Sequence, residues 1–247
     1  TKYLEDIKSI FKSGSMLVSV NPNDRNIKTA IDSDGNGIVT STEVEDFKTP
    51  LKSALSSYWS YGDSLGNCDE NCAESVIKYV RGYDKPSPAG SSFRLRQSDS
   101  TTPDKTDTWK LGDTVYSTPK IAPGTAVNGY DVKYNDSTYS EFIRTKIRDK
   151  TQVIIMGAND GMIHAFRLGK LKDRIPPTYY NEGKQVNELV SDDVLGKEEW
   201  NYIPYNVLPY LRWYCQENYC HIPMLETTFT IVDASVGPPE NPQQNPT

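Results

Sequence analysis

A segment of twelve residues near the amino terminus carries side chains with oxygen atoms at alternating positions. Residues 32–43 read Asp-Ser-Asp-Gly-Asn-Gly-Ile-Val-Thr-Ser-Thr-Glu, which matches the EF-hand calcium-loop pattern at each defining position. The predicted ligands of Ca²⁺ are Asp32, Asp34, Asn36, the Ile38 carbonyl, Thr40 and Glu43. A single loop favours a structural or extracellular site over a cytosolic sensor. The alternative is an acidic turn that binds nothing.

Four cysteines form two close pairs, Cys68 with Cys72 and Cys215 with Cys220. An even count in a chain rich in Tyr, Ser and Thr and poor in Met favours disulfides and an oxidising compartment. Their closeness in sequence favours these two pairings among the three possible, with no free thiols. Reduced thiols or a Cys₄ zinc site are the alternatives, although the spacings differ from the usual C-x₂-C.

The second cysteine pair is followed directly by a histidine, which also suggests haem attachment. The usual motif is C-x-x-C-H, and here the spacer is four residues long. In this interpretation Cys215 and Cys220 carry the thioethers, and His221 is an axial ligand with His164 or a Met opposite. Disulfides account for all four cysteines at once, so haem stays an alternative.

The composition offers little to a catalytic mechanism. The chain of 247 residues has two histidines, and no nucleophile has a credible partner. The net charge of −6 argues against nucleic-acid binding. No apolar run approaches the roughly 18 residues of a membrane-spanning helix. We therefore predict a non-catalytic protein without a transmembrane segment. With Thr1 first, a mature chain or an excised piece is expected.

Helical periodicity marks the first third of the chain, and strand patterns follow it. Helices are predicted at 3–12, ending at Gly14, at 41–59 with a break at Pro50, and at 70–81 with Ala73, Val76, Ile77 and Val80 inward. Strands are predicted at 114–116, 152–156 (buried on both faces) and 162–167, with a hairpin turn at 159–161. The fold class is therefore α+β. The predicted ranges are a helical segment with the EF-hand-like calcium loop at 1–84, a linker at 85–107, a β-rich part at 108–236 and an extended Pro-rich tail at 237–247.

Three segments, in the expected order, resemble the PilY/PilC-type family of type IV pilus biogenesis and tip adhesin proteins. They are Trp-Lys-Leu-Gly-Asp-Thr-Val-Tyr-Ser-Thr-Pro at 109–119, Gly-Ala-Asn-Asp-Gly-Met-Ile-His-Ala-Phe at 157–166, and Glu-Trp-Asn-Tyr-Ile-Pro-Tyr-Asn-Val-Leu-Pro-Tyr-Leu at 199–211. Residues 76–84 resemble the short helix that precedes the family's propeller, so the resemblance covers roughly 70–235. It implies that 108–236 holds antiparallel blades of a partial β-propeller, on a secreted, surface-exposed protein.

The predicted function follows from the loop and the resemblance together. It is a calcium-binding, non-catalytic, extracellular component of a type IV pilus-like system, acting in adhesion or in pilus or filament assembly. A propeller has about four to eight blades, and this chain holds the first one or two. The partners are therefore predicted to be the remainder of a precursor, pilus subunits or like subunits, with a host or surface receptor as a further candidate. The alternatives are a subunit of an extracellular filament completed by neighbouring chains, and a c-type haem electron-transfer subunit.

Overall fold

A computed structural model gives the fold of the chain in two compact units. It describes residues 11–60, 65–96, 104–147, 150–171, 180–181, 184–185, 189–190, 195–226 and 228–234. Unit 1 comprises Thr1–Thr118, Met156–Ala165 and Gly196–Thr227, and unit 2 comprises Pro119–Ile155, Phe166–Leu195 and Thr228–Thr247. The four ranges predicted from the sequence stay a prediction, and the tail at 237–247 lies outside the described residues.

Short helices and strands alternate along the described chain, which confirms the α+β class. The helices are α1 (Ser13–Val18), α2 (Lys52–Ser56), α3 (Glu70–Arg81), α4 (Tyr130–Tyr134), α5 (Ser137–Phe142) and α6 (Leu211–Tyr214). The strands are β1 (Ile27–Ala30), β2 (Val44–Asp46), β3 (Lys120–Ala122), β4 (Gln152–Gly157), β5 (Ile163–Leu171), β6 (Tyr180–Asn181), β7 (Lys184–Gln185), β8 (Leu189–Val190) and β9 (Glu198–Ile203). Among the described residues, none of the helices has the length and apolar character that spanning a membrane requires.

The main sheet is open and mixed rather than purely antiparallel. Its strand order is β2-β1-β9-β5-β4-β3, and β8 pairs with β5 outside that path. Strand β1 runs antiparallel to β2 and parallel to β9, with Ile27 opposite Asn201. Strand β3 runs antiparallel to β4. The parallel pair joins β1, from the amino-terminal part of the chain, to β9, which lies about 170 residues later in the sequence.

Helix α3 has the predicted bounds and the predicted buried face. The Asp69 side chain caps its start by accepting a hydrogen bond from the Cys72 N–H (2.8 Å), and Gly82 ends it with φ of 129°. The four apolar side chains predicted to face inward are all buried, namely Ala73, Val76, Ile77 and Val80. They join the core of unit 1, in which Trp59 is fully buried and its indole N–H donates to the Leu208 carbonyl (2.7 Å).

The helix predicted over 41–59 is wrong for its first part. Residues Val44–Asp46 form β2 instead, and the Phe47 N–H donates to the Ile27 carbonyl (2.8 Å). Pairing with β1 satisfies these backbone groups and buries Phe47, which outweighs the local helical pattern. Helix α2 begins only after Pro50, which lies in the first turn of the preceding 3-10 helix, Thr49–Leu51.

Three further expectations differ from the structure. Residues 114–116 are not a strand, since Val115 and Tyr116 form a turn in which Val115 is 68% exposed. Strand β4 is present as predicted, but most of its side chains are half-buried. Gly14 lies inside α1 rather than ending a helix, and its lack of a side chain makes room for the Trp109 ring, which a Cβ there would approach within 2.6 Å. Most of the helix predicted at 3–12 lies outside the described residues.

Candidate functional site

The 32–43 loop connects two antiparallel strands of unit 1. Ala30 of β1 pairs with Val44 of β2, and the Ile31 N–H donates to the Glu43 carbonyl (3.1 Å) at the base of the loop. Strand β1 therefore precedes the loop, and β2 follows it where the sequence predicted a helix from residue 41, which corrects that prediction. The reason is tertiary: Ile27, Thr29 and Ala30 are buried where β1 pairs with a strand on each side.

Hydrogen bonds inside the loop hold its acidic side chains inward. Asp32 accepts from the Asn36 N–H through Oδ1 (3.1 Å) and from the Gly37 N–H through Oδ2 (2.9 Å). Asp34 Oδ1 also accepts from the Asn36 N–H (3.0 Å). Gly37 has φ of 78°, a left-handed conformation that glycine adopts without strain. The glycine of the motif is thus needed for this turn with or without an ion.

Glu43 is the most enclosed acidic side chain of the loop, at 7% exposure. Its Oε1 accepts from the Ser33 N–H (2.8 Å), and its Oε2 accepts from the Thr40 N–H (2.9 Å). These backbone donors, Thr40 first and then Ser33, lower the pKa of Glu43 to about 2. The carboxylate is therefore ionised throughout the neutral range.

Three of the six predicted ligands offer carboxylate oxygens to one point. Ligand atoms of Asp32, Asp34 and Glu43 lie within 4.8 Å of one another. Two of the other predicted ligand atoms make different contacts: Asn36 Oδ1 accepts from the Ile38 N–H (2.7 Å), and Thr40 Oγ1 donates to Glu43 Oε2 (3.0 Å). An all-oxygen donor set fits a hard cation such as Ca²⁺, which takes about six to eight oxygens. An acidic cluster alone is not specific for calcium.

One of the two predicted disulfides is present. Cys68 and Cys72 form a disulfide, whereas Cys215 and Cys220 are free thiols, so the prediction of a second disulfide is wrong. Cys215 is fully buried at the end of α6, and burial raises the pKa of its thiol. Cys220 is exposed. A haem bound to both sulfurs would have to reach one that the core encloses, so this geometry does not favour the haem alternative.

A buried chain of four charged side chains lies in unit 1, and the sequence patterns do not indicate it. Arg25 forms a bidentate ion pair with Glu198 (2.8 and 2.9 Å), and Glu198 Oε1 lies 3.1 Å from His164 Nδ1. On the other side of the ring, His164 Nε2 lies 3.1 Å from Asp160 Oδ2. His164 is fully buried. It is therefore a core histidine and not a base in contact with solvent.

The buried histidine predicts a loss of stability at alkaline pH. Burial alone would lower the pKa of His164, but Asp160 and then Glu198 outweigh it and raise the pKa to about 9. The unfolded value is near 6.5, so this stabilisation is complete below about pH 6.5 and is lost as the pH rises through 9. We expect the free energy of unfolding to fall by roughly 1–3 kcal/mol between pH 6 and pH 9.5.

Urea unfolding at the two pH values measures this change. The His164→Gln variant should show a clearly smaller fall than the wild-type chain, because it has no imidazole to titrate. His221→Gln is the matched control, since His221 is exposed, and it should behave like wild type. An equal fall in all three proteins would contradict the assignment to His164.

Comparison of the chain with protein-family models, with characterised proteins and with solved structures found no match. The resemblance to PilY/PilC-type proteins therefore stays a prediction that depends on the three motifs.

Proposed function

We propose that the chain is a calcium-binding, non-catalytic, extracellular component of a type IV pilus-like system that acts in adhesion or in filament assembly. The observation that carries the calcium part is the convergence of the Asp32, Asp34 and Glu43 carboxylates in a loop of all-oxygen donors. The Cys68–Cys72 disulfide supports an oxidising, extracellular setting. The pilus part, and the partial β-propeller that it implies, depend on the three ordered motifs at 109–119, 157–166 and 199–211.

Calcium would act here by ordering the connection between β1 and β2. Asp32, Asp34 and Glu43 would hold the ion, and the positive charge would offset the repulsion among three carboxylates only a few ångströms apart. Glu43 is already oriented by Ser33 and Thr40, so its carboxylate needs little rearrangement. Because β1 pairs with β9 as well as β2, the ordered loop would stabilise the sheet edge at β2.

Calcium is expected to raise the stability of the protein. Binding to the folded state alone adds about 2.7 kcal/mol to the free energy of unfolding when calcium is a hundredfold above Kd. Extracellular modules commonly have Kd values of about 10⁻⁴–10⁻³ M, which is our expectation for this loop. Titration calorimetry measures the affinity, and melting curves with calcium and with chelator measure the stabilisation.

Two variants and one control separate calcium binding from folding of the loop. Glu43→Gln should remove most of the calcium-dependent stabilisation, although it also weakens the contacts to Ser33 and Thr40. Asp34→Asn keeps the hydrogen-bonding shape of an exposed side chain and should weaken calcium binding without lowering apo stability. Glu45→Gln, two residues beyond the loop and exposed, should leave both quantities unchanged. An unchanged melting curve with chelator, with no calcium in elemental analysis, would reject the site.

Sheet edges support the proposal that the chain works in contact with other polypeptides. Strands β2 and β3 are the two ends of the described strand order, and Ile121 on β3 is 56% exposed. An open edge is a template for pairing with another chain. The same edges also favour the second candidate, a filament subunit completed by its neighbours.

Electron microscopy and co-sedimentation distinguish the two candidates. The proposed pilus component should co-sediment with sheared pilus filaments, and removing calcium with chelator should reduce the bound fraction. A self-assembling subunit should instead form filaments on its own. A chain that stays monomeric and does not bind filaments in either condition would contradict both.

A further inference from the structure

A cleft of about 270 Å³ lies in unit 1, away from the 32–43 loop. Its walls come from the chain after α3, from the segment before β3 and from the residues around and after α6. The side chains that matter for its chemistry are Arg94, Arg96, Trp109, Asp113, Tyr214 and Tyr219. Ligand pockets commonly measure about 300–1,000 Å³, so this cleft lies just below that range and suits a small ligand, of monosaccharide size at most.

Arg94 is held between two aromatic rings and leaves its edge available. Its guanidinium carbon lies 4.3 Å from the ring centre of Tyr214 and 4.5 Å from that of Tyr219. Within the described part of the chain, the guanidinium makes no hydrogen bond, and Nε is buried without a partner. A guanidinium stacked in this way presents N–H groups in a fixed plane, which matches the two oxygens of a carboxylate.

Arg96 adds a second positive charge to the same wall. Its guanidinium lies 4.0 Å from the ring centre of Tyr79 and donates to the Tyr79 carbonyl. Its Nε and Nη1 atoms are buried and have no hydrogen-bond partner in the described residues. The Asp84 carboxylate accepts from the Arg96 backbone N–H (3.2 Å) and partly balances this charge. Arg94 is therefore the better contact for an anion, with Arg96 adding to the positive potential.

Two other groups in the lining of the cleft, Asp113 and Trp109, suit hydroxyls and an apolar ring and not a second anion. Asp113 is exposed, accepts from Asn159 Nδ2 (2.5 Å), and its Oδ2 lies 3.8 Å from His221 Nδ1. Its negative charge would repel a multiply charged phosphate, while its remaining lone pairs can accept from hydroxyl groups. Trp109 is 47% exposed, and its indole N–H is already bonded to the Leu111 carbonyl (2.8 Å). The ring therefore offers an apolar surface rather than a donor.

We infer that this cleft binds a carboxylated sugar, with the carboxylate on Arg94, hydroxyls on Asp113 and the face of the pyranose ring against Trp109. One ligand of this class supplies all three features that the walls require: a single planar negative charge, hydroxyl groups and an apolar ring face. The site is separate from the calcium loop and does not depend on the proposed role in pili. Hexuronic acids and sialic acids share this chemistry, and the experiment distinguishes them.

Titration calorimetry on the full chain tests the inference with glucuronic acid and with N-acetylneuraminic acid. At least one of them should bind saturably, with an affinity at least tenfold higher than that of glucose, acetate or inorganic phosphate. The acid that binds more tightly identifies the sugar class. Arg94→Gln should lower that affinity tenfold or more, and Arg94→Lys should also lower it, because an ammonium cannot reproduce the planar fork. Arg144→Gln, an exposed arginine of unit 2, is the matched control and should bind like wild type.

Asp113→Asn keeps the test valid if a change at Arg94 disturbs folding, because Asp113 is exposed. It should weaken binding of the acidic sugar severalfold, because the amide accepts hydroxyl hydrogen bonds less well than the carboxylate, and it should not weaken the binding of acetate. The inference is overturned if glucose binds as tightly as the acids, if acetate or phosphate does so, or if neither acid binds saturably. Circular dichroism of each variant shows whether a loss of binding reflects the site or the fold.

Discussion

Replacing Glu198 with glutamine is expected to lower the free energy of unfolding by about 3–5 kcal/mol, which is the usual cost of removing one partner of a buried ion pair. Glu198 holds the Arg25 guanidinium through two hydrogen bonds and also contacts His164. Burial alone would raise the pKa of Glu198, but Arg25 and then His164 outweigh it and keep the pKa well below its usual range. Glutamine fills the same space but leaves the Arg25 charge buried without a counter-charge.

Urea unfolding at pH 6 measures this loss for Glu198→Gln. Glu217→Gln is the matched control, because Glu217 is exposed, and its free energy of unfolding should stay within about 0.5 kcal/mol of wild type. The alkaline fall attributed to His164 should also shrink in Glu198→Gln, since the imidazolium loses one of its two anions. A loss below about 1 kcal/mol would contradict a net stabilising role for the network.

Replacing Arg81 with methionine is expected to have an effect of similar size, about 3–5 kcal/mol. Arg81 is the last residue of α3 and is 2% exposed. Its guanidinium donates to four backbone carbonyls, those of Phe47 (2.7 Å), Pro22 (2.6 Å), Arg25 (2.8 Å) and Asn23 (3.1 Å). Burial, and then the charge of Arg25, lower the pKa of Arg81 to about 10, so it stays charged at neutral pH. Methionine keeps the packing volume but leaves these buried carbonyls without donors.

Two further substitutions show whether the loss comes from the hydrogen bonds. Arg81→Lys retains the positive charge but not the planar guanidinium with its several fixed donors. It should therefore recover only part of the stability that Arg81→Met loses. Arg144→Met removes an arginine that is 71% exposed and pairs with the exposed Glu141, so it should cost about 0.5 kcal/mol or less. If Arg81→Met unfolds at the same urea concentration as wild type, the carbonyl contacts do not stabilise the fold.

Arg25 and Arg81 also show how distant segments are joined in unit 1. Arg25 Nη1 donates to the Arg81 carbonyl (2.8 Å), and Arg81 Nη2 donates to the Arg25 carbonyl (2.8 Å). The pair therefore connects the segment before β1 to the end of α3, and Glu198 connects both to the start of β9. Stability changes at the three positions should not be additive, since each side chain orders the others.

Local patterns in the sequence were sufficient for the elements whose stabilising contacts are themselves local. Helix α3 was predicted with its bounds and its buried face, because Asp69, Gly82 and the apolar spacing lie within one segment. The turn at 159–161 was predicted for the same reason, and it connects β4 to β5 with Gly161 at φ of 86°. The acidic loop at 32–43 was also recognisable, because its carboxylates and its glycine turn belong to twelve consecutive residues.

Contacts between distant residues decided the rest. Strand β2 replaced the start of a predicted helix because β1 offers a pairing partner, and the loop consequently lies between strands rather than helices. Cys215 stays a thiol because α6 places it in the core, while Cys220 is exposed. Arg25 meets Glu198, and Arg94 meets Tyr214, across more than a hundred residues of chain, so no spacing rule indicates either pair. Periodicity and capping depend on neighbours along the chain, whereas buried charges and clefts depend on which segments the folded chain brings together.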